Sequence, residues 1–399
     1  MGQDTRPGFG RQTWALTVAI AFVMTGVSLV APIIPLYALE FGVSYTAAGA
    51  LITGFALARL MFSLLGGVAG DRYGARRIAV AGALLLTVSS VTAALAPSYA
   101  ALLASRFVEG MGSAILATTA SQYLVQTTPK QRLGRTMALY QTGLLFGVAI
   151  GPFIGGRLAE LGDFRTPFWA YAVLGLVVAV LVTLFITDLP PSGKTAGESF
   201  RATGDILRMP SFRVVLFVAF SLFIMRGGAR ITLIPLFGSE VVGLTPAQIG
   251  DVLSLSAVTN LLIVNPGGQL VDRIGRKPVA ILGLILAGLA TAAYGFFETY
   301  GSLLVVSGLF GLTSGLASIP PPTMVGDLAP TGAEGSAVGL YRTFGDLGFI
   351  VGPLVMGVVA DAGAFATGFI ISGALLGLAA LALTTIPETR HRDGTVKAT

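Results

Sequence analysis

Twelve apolar segments of about 20 residues or more constrain the fold of this chain more than any other feature. Such a segment can cross the ~30 Å hydrocarbon core of a bilayer as one helix, which satisfies its own backbone hydrogen bonds in lipid. We therefore predict an all-α membrane protein with twelve transmembrane helices. The predicted segments are residues 13–38, 45–69, 77–96, 98–124, 135–160, 166–187, 212–237, 246–270, 278–297, 299–326, 335–360 and 364–386.

The second half of the chain repeats the first. A charged turn at residues 67–77 returns at residues 268–277, and Asp272 of the copy follows Asp71 by 272 − 71 = 201 residues. Further matched residues keep this spacing: Gly42 and Gly243, Gly49 and Gly250, Gly151 and Gly352, and Pro152 and Pro353. A true duplication holds its register where a chance match does not. We therefore predict two bundles of six helices each.

The repeat divides the chain into three regions. Residues 1–188 form the first predicted bundle, and residues 211–399 form the second bundle with a short cytoplasmic tail. The polar stretch 189–210, with two prolines at its start, is typical of a solvated cytoplasmic linker. The alternative for this stretch is a short amphipathic helix on the membrane surface.

The basic residues predict the orientation of the chain in the membrane. With both termini in the cytoplasm, nineteen of the 25 Lys and Arg residues lie inside and only Arg157 and Arg165 lie outside. The sequence pI of about 9.7 is thus a topology signal and does not indicate nucleic-acid binding. The first apolar run is too long for a cleavable signal peptide. We predict a multi-pass protein of the cytoplasmic membrane of a bacterium, with both termini cytoplasmic.

The chemistry available to the chain is narrow. It has no cysteine and one histidine, His391, which lies in the polar tail. These counts argue against a thiolate or histidine metal site, and no phosphate-binding Gly-x-x-x-x-Gly-Lys-Ser/Thr motif is present. We expect neither an enzyme nor a cofactor or metal. Any proton carrier within the membrane must be a carboxylate.

The charged turn and its copy resemble the loop signature of the major facilitator superfamily of secondary transporters, and the resemblance covers essentially the whole chain. The residues that carry it are Gly67, Asp71, Arg72, Gly74 and Arg76, and in the copy Asp272, Arg273, Gly275 and Arg276. Ala75 departs from the usual basic residue, whereas the copy matches fully. The resemblance implies the superfamily fold and a turn that latches the two halves in the outward-facing state. The alternative is a plain basic loop.

The fourth predicted helix resembles the superfamily's Arg-x-x-x-Gly-x-Gly motif, which is associated with proton transfer. Arg106 and Glu109 lie three residues apart and therefore on one helical face. The resemblance implies that this pair takes part in proton coupling. The alternative is a self-neutralising pair that lets the helix insert into the membrane.

The fifth predicted helix closely matches a motif of the superfamily's drug/proton antiporters. The residues of this motif are Gly147, Gly151, Pro152, Gly155 and Gly156. Small residues permit close helix packing and proline removes one helical hydrogen bond, so we expect a kinked, compliant interface between the halves. The alternative is generic small-residue packing, and a partial copy at Gly352-Pro353 reduces the specificity of the motif.

Arg59 and Asp346 are predicted to form an ion pair between the halves. Arg59 lies ~18 Å and Asp346 ~15 Å from the cytoplasmic side at 1.5 Å per residue. The resemblance implies that their helices, the second and the eleventh, pack across the central interface. We expect the pair to break and re-form in proton coupling, and the alternative is a fixed structural pair.

Arg226 and Arg230 lie four residues apart on the seventh predicted helix, which carries no acidic residue. Arg230 is expected near the outer interface, where it would snorkel, whereas Arg226 is too deep for that. The candidate partners of Arg226 are Glu109, Asp346 or a substrate anion. The resemblance implies a central cavity that places Arg226 and Glu109 in reach of one solvent-filled space.

Three further residues are candidate polar contacts for a substrate: Tyr37, Gln141 and Asn260. The alternative for each is a hydrogen bond between helices. The first predicted helix carries no charge between Trp14 and Glu40, unlike antiporters that hold cations there. This absence weakens the case for purely cationic substrates.

The resemblance and the membrane charges together favour a proton-coupled antiporter that exports small amphipathic or drug-like compounds by alternating access. Protons would titrate Glu109 first and Asp346 second. The alternative is a carrier of a specific anionic metabolite or lipid, bound through Arg226 and Arg230, and a membrane receptor is disfavoured by the charge within the spans. The expected partners are a small-molecule substrate, protons and membrane lipids, without nucleic acid, and we expect a monomer.

Overall fold

The computed structural model describes residues 10–187, 199–330 and 333–389. Twelve helical stretches within these residues are long and apolar enough to cross a membrane, and the described residues contain no strand. The prediction of an all-α membrane protein with twelve transmembrane helices is therefore confirmed. The predicted tail with His391, and residues 189–198 of the predicted linker, lie outside the described residues.

The helices of the first half are α1 (Arg11–Val30), α2 (Ile34–Leu39), α3 (Tyr45–Tyr73), α4 (Ala75–Ala94), α5 (Tyr99–Thr127), α6 (Lys130–Leu161) and α7 (Thr166–Phe185). A short helix, α8 (Ser199–Arg208), precedes the second half. The second half has α9 (Pro210–Ile224), a π-helix (Met225–Leu233), α10 (Ile234–Glu240), α11 (Pro246–Ile274), α12 (Arg276–Ala293), α13 (Tyr300–Ser318), α14 (Pro320–Leu328), α15 (Glu334–Asp361) and α16 (Phe365–Thr384).

Equivalent signals begin and end the helices on either side of the charged turns. The Ser44 side chain caps the first turn of α3, and Thr245 forms a capping box with Gln248 at the start of α11. Both helices end at a glycine, Gly74 with φ of 97° and Gly275 with φ of 119°. Residues with side chains rarely adopt this backbone conformation, so glycine allows the chain to turn sharply into the next helix.

Each half packs around its own hydrophobic core. In the first half α1 packs on α6 and α7, and α4 packs on α5 and α7; in the second half α9 packs on α15 and α16, and α12 packs on α13 and α16. Tyr171 and Phe168 are fully buried in the first core, and Phe310 and Phe369 lie in the second. The repeat in the sequence is therefore repeated in the helix packing.

Part of the predicted linker is helical. α8 lies within residues 189–210, and its Ile206 is fully buried in the core of the second half. Its neighbours Asp205 and Arg208 are exposed. The alternative of a short amphipathic helix thus describes the structure of this part better than an irregular linker does.

The two halves meet along α3 with α15 and along α6 with α11. At the end where α3 and α11 begin, Gly49 lies against the Pro353 carbonyl and Gly250 lies against the Pro152 carbonyl. Nearer the other ends of these interface helices, Gly134, Gly268 and Gly335 face open space, and Gly66 and Gly70 lie against α5 of their own half. The contact is therefore tightest at the end that the predicted topology places outside.

Candidate functional site

Arg59 of α3 and Asp346 of α15 form an ion pair between the halves. Their Nη2 and Oδ1 atoms are 3.7 Å apart, and the side chains are 43% and 17% exposed. Further towards the outer end, the Thr53 hydroxyl donates to the Ile350 carbonyl at 2.7 Å. The structure thus places together the two residues that were predicted to pair, while their part in proton coupling stays a prediction.

Arg106 and Glu109 form a second ion pair, which is sealed inside the first half. The side chains are only 3% and 1% exposed and bind each other within α5. The Arg106 guanidinium lies 4.9 Å from the centre of the Phe55 ring of α3. The buried hydroxyl of Tyr171 in α7 lies close to the Glu109 carboxylate. We call Arg106 and Glu109 the sealed pair.

Arg226 and Arg230 line a small, partly open cavity within the second half. We call it the arginine cavity, and its lining residues are Met225, Arg226, Arg230, Ser256, Asn260, Phe310 and Ser314. Among the described residues, no carboxylate lies within 4 Å of either arginine. Glu109 does not line this cavity, so the expectation that Glu109 and Arg226 share one solvent-filled space is wrong for this conformation.

The two arginines are held differently. Arg230 donates from Nε to the Ser256 hydroxyl and from Nη2 to the Leu253 carbonyl, both at 3.2 Å. It therefore points into the second half towards α11, and the expectation that it snorkels to the outer interface is wrong. The Arg226 guanidinium lies 5.2 Å from the centre of the Phe223 ring and has no hydrogen bond to a described side chain.

The three predicted polar contacts separate in the structure. Asn260 lines the arginine cavity and donates to the Ser314 hydroxyl at 3.4 Å. Tyr37 is fully buried, and its hydroxyl donates to the Ala93 carbonyl at 3.3 Å, so it is a contact between helices and lines no described cavity. Gln141 is exposed on α6 and is not part of the arginine cavity.

Arg276, Lys277 and Arg72 of the charged turns make contacts within their own half. The Arg276 side chain donates to Asp327 of α14 at 3.1 Å, and the backbone N–H groups of Arg276 and Lys277 donate to Glu388 at 3.0 Å. Arg72 lies over the ring of its neighbour Tyr73. The side chain of Asp71 lies outside the described part of the chain. A latch between the halves therefore stays a prediction for another facing state.

The antiporter-like motif of α6 serves two contacts. Three of its glycines, Gly147, Gly151 and Gly155, lie against the backbone of α1 within the same half, where a Cβ atom would clash. Pro152 and Gly156 instead touch the other half, through the first turns of α11. Most of the motif thus allows α1 to pack closely against α6. Of its residues, Pro152 and Gly156 make the contact between the halves that was predicted for the motif.

Polar contacts join the halves at their outer end, and sequence reasoning missed them. Arg157 of α6 binds Asp251 of α11 at 2.7 Å. The Asp361 carboxylate of α15 accepts from the backbone N–H groups of Tyr45 and Thr46 at 2.7 and 3.0 Å, so it caps α3 of the other half. We call these contacts the outer lock. The acidic residues at the ends of the predicted helices indicated polar contacts there, but the sequence did not show which residues of the other half they bind.

Comparisons with known proteins agree with this architecture. The family model described as Major Facilitator Superfamily matches residues 16–247 and 224–399. Multidrug resistance protein 2 of Bacillus subtilis is 26% identical over 86% of this chain and 87% of its own length. Quinolone resistance protein NorA of Staphylococcus aureus is 24% identical over 88% and 90%. The crystal structure of the human organic anion transporter MFSD10 (TETRAN) superposes with a TM-score of 0.69 at 17% identity, over 95% of this chain and all of that one.

Proposed function

Because the chain belongs to the major facilitator superfamily, we propose that it exports small amphipathic or drug-like compounds by proton-coupled antiport. Its similarity to two drug-resistance proteins over most of both chains supports the substrate class. The observation that carries the coupling is the Arg59–Asp346 ion pair, because it joins the two halves through a group that can take up a proton.

The outer lock supports alternating access. Arg157 and Asp251 lie in different halves, as do Asp361 and the start of α3, so both contacts must break before the outer end opens. In this conformation the outer end is closed by these contacts and by the glycine contacts beside them. We propose that the halves rock about the central contact between α3 and α15, as in other two-bundle carriers.

Asp346 is a better candidate for the proton site than Glu109, which reverses the order expected from the sequence. The Asp346 side chain is 17% exposed and its partner Arg59 is 43% exposed, so the pair is not sealed within one half. Glu109 is 1% exposed and its cation lies in the same helix, so its titration would not change a contact between the halves. Protonation of Asp346 removes its attraction for Arg59 and weakens the contact of α3 with α15.

A second function is favoured by the arginine cavity: transport of a specific anionic metabolite or lipid through Arg226 and Arg230. Two guanidinium groups without a carboxylate within 4 Å in the described part of the chain suit an anionic ligand. The similar fold of a human organic anion transporter is compatible with this function.

We further propose that the protein works as a monomer in the cytoplasmic membrane of a bacterium, with both termini in the cytoplasm. In that orientation Arg72 and Arg273 of the charged turns meet anionic lipid head groups. The two proposed functions differ in substrate charge and share the membrane, the fold and the proton site.

Transport by the purified protein in proteoliposomes tests the proposal. Uptake of ethidium, of an uncharged dye and of benzoate is measured with and without an imposed proton gradient. Gradient-driven transport of the dyes supports the drug exporter, and gradient-driven transport of benzoate alone supports the anion carrier. If the gradient drives none of these compounds while binding is retained, the proposed coupling is wrong.

A further inference from the structure

Near the arginine cavity, the helix contacts of the second half no longer match those of the first half at the 201-residue spacing of the sequence repeat. Gly147 of α6 lies against the Ala21 carbonyl of α1, and its counterpart Gly348 of α15 lies against the Phe220 carbonyl of α9. The repeat of the sequence would match Ala21 with Leu222, which comes two positions after Phe220. The next glycines show the same shift: Gly151 contacts Leu29, and Gly352 contacts Gly228. Up to Gly228, the first transmembrane helix of the second half is therefore shifted by two positions from the repeat.

Beyond the cavity the shift is only one position. Tyr37 contacts the Phe168 ring, and Phe237 contacts the ring of Phe369, the counterpart of Phe168 in the repeat. The repeat would match Tyr37 with Gly238, the neighbour of Phe237. Between these two sets of contacts, the second half therefore has one more residue than the first.

A π-helix accounts for the extra residue. The segment Met225–Leu233 contains Gly228, the last position with the two-residue shift, and ends before Phe237; the wider turn of a π-helix accommodates one residue more than an α-helix does. Arg226 and Arg230 both belong to this segment. The local departure from the repeat therefore coincides with the arginine cavity.

The arginine cavity and the sealed pair occupy equivalent places in their bundles. Three residues of the cavity lining, Ser256, Phe310 and Ser314, follow Phe55, Glu109 and Ser113 by 201 residues. In the first half this place holds Arg106 with its own carboxylate. In the second half it holds two arginines, and Phe310 takes the position of Glu109. The first bundle is therefore neutral at this place, and the second bundle has two positive charges.

Such charges are costly inside a membrane unless they are paired. Arg230 uses Nε and Nη2 for Ser256 and Leu253, which leaves further N–H donors. Arg226 lies against the Phe223 ring and near Tyr341 of α15, and neither residue is a carboxylate. The Ser256 and Ser314 hydroxyls of the lining already donate to backbone carbonyls, whereas the Asn260 amide keeps one N–H beyond its bond to Ser314. A small anionic group would pair with both guanidinium groups.

We propose that the arginine cavity binds a carboxylate or sulfonate group, which for a transported compound is the acidic end of an amphipathic molecule. Both guanidinium groups at this site belong to the π-helix that contains the extra residue. The assignment of that ligand as substrate rests on the proposed transport function, whereas anion binding itself does not. The site selects compounds with one acidic group over their uncharged or cationic analogues.

Equilibrium binding to the purified full-length protein in detergent, at neutral pH and without a gradient, tests the proposal. The probes are benzoate, benzenesulfonate, uncharged benzamide and cationic benzylamine, measured by isothermal titration calorimetry. We expect the two anions to bind at least tenfold more tightly than benzamide and benzylamine. Equal affinity for benzoate and benzamide would overturn the assignment.

Matched variants locate the binding. Arg226→Ala should weaken benzoate at least tenfold, and Arg226→Lys should retain part of the affinity. Phe310→Glu should abolish anion binding, because it supplies the internal carboxylate that the first half has. Arg213→Ala, which removes an exposed arginine from the same transmembrane segment, should leave benzoate affinity unchanged.

The outcomes separate this proposal from the transport function. Benzoate binding that survives both Arg226→Ala and Phe310→Glu contradicts the site, whatever the protein transports. If the variants lose benzoate binding and the wild-type protein moves no compound under a proton gradient, the result supports the site and contradicts the transport function. If Phe310→Glu does not fold, the Arg226→Ala and Arg226→Lys comparison decides the question.

Discussion

Replacement of Asp361 by alanine should shift the protein towards a conformation that is open at its outer end. The carboxylate accepts from Tyr45 N–H, Thr46 N–H and the Thr46 hydroxyl, and these contacts exist only while the halves touch there. Hydrogen bonds to charged groups contribute ~1.5–3 kcal/mol each when buried. Because Asp361 is exposed, we expect only about 1–2 kcal/mol in total, which corresponds to a roughly 5- to 30-fold change in the equilibrium.

The absence of native cysteine makes this shift measurable. Spin labels on Pro97→Cys and Glu298→Cys occupy exposed outer loops of the two halves, and their distance is measured by double electron–electron resonance. Asp361→Ala should increase the population with the longer distance.

Asp163→Ala is the matched control for this shift. Asp163 caps α7 of its own half through Arg165 N–H, Thr166 N–H and the Thr166 hydroxyl. Its loss removes the same kind of cap without separating the halves. An unchanged distance distribution in Asp361→Ala, or an equal change in both variants, would refute the reasoning.

Three further outcomes follow from the structure. Arg157→Ala and Asp251→Asn should each open the outer end, and the double variant should add little, because both remove one ion pair; the same distance measurement checks this. Gly156→Leu should prevent closure, since its side chain would meet the start of α11, and the longer distance should then dominate. Glu109→Gln should lower the stability to chemical unfolding by ~3–5 kcal/mol, because it leaves Arg106 unpaired, whereas Arg106→Met with Glu109→Leu should cost much less.

The fold was accessible from the sequence because its signals are long-range and redundant. Each span must be apolar throughout, and the repeated charged turns fix the register of the halves. The Arg59–Asp346 contact was accessible for the same reason, since 1.5 Å per residue places both groups at one depth once the packing of their helices is assumed.

Other details depend on tertiary contacts, which the periodicity and spacing of residues in the sequence do not reveal. The position of Arg230 along its span suggested snorkelling, but its guanidinium binds Ser256 and the Leu253 carbonyl of α11 instead. Tyr37 was predicted to contact substrate, but its hydroxyl donates a hydrogen bond to the buried Ala93 carbonyl of α4. The outer lock pairs residues up to 316 positions apart, so it depends on how the halves dock.

The central claim is that a proton on Asp346 couples the two halves through Arg59. The most direct measurement compares Asp346→Asn with the wild type in inside-out vesicles, for both gradient-driven dye accumulation and gradient-free dye exchange. Asp205→Asn, which alters an exposed carboxylate of α8, serves as the control. We predict that Asp346→Asn loses at least tenfold in accumulation and keeps exchange, while the control keeps both. Undiminished accumulation by Asp346→Asn would contradict the account.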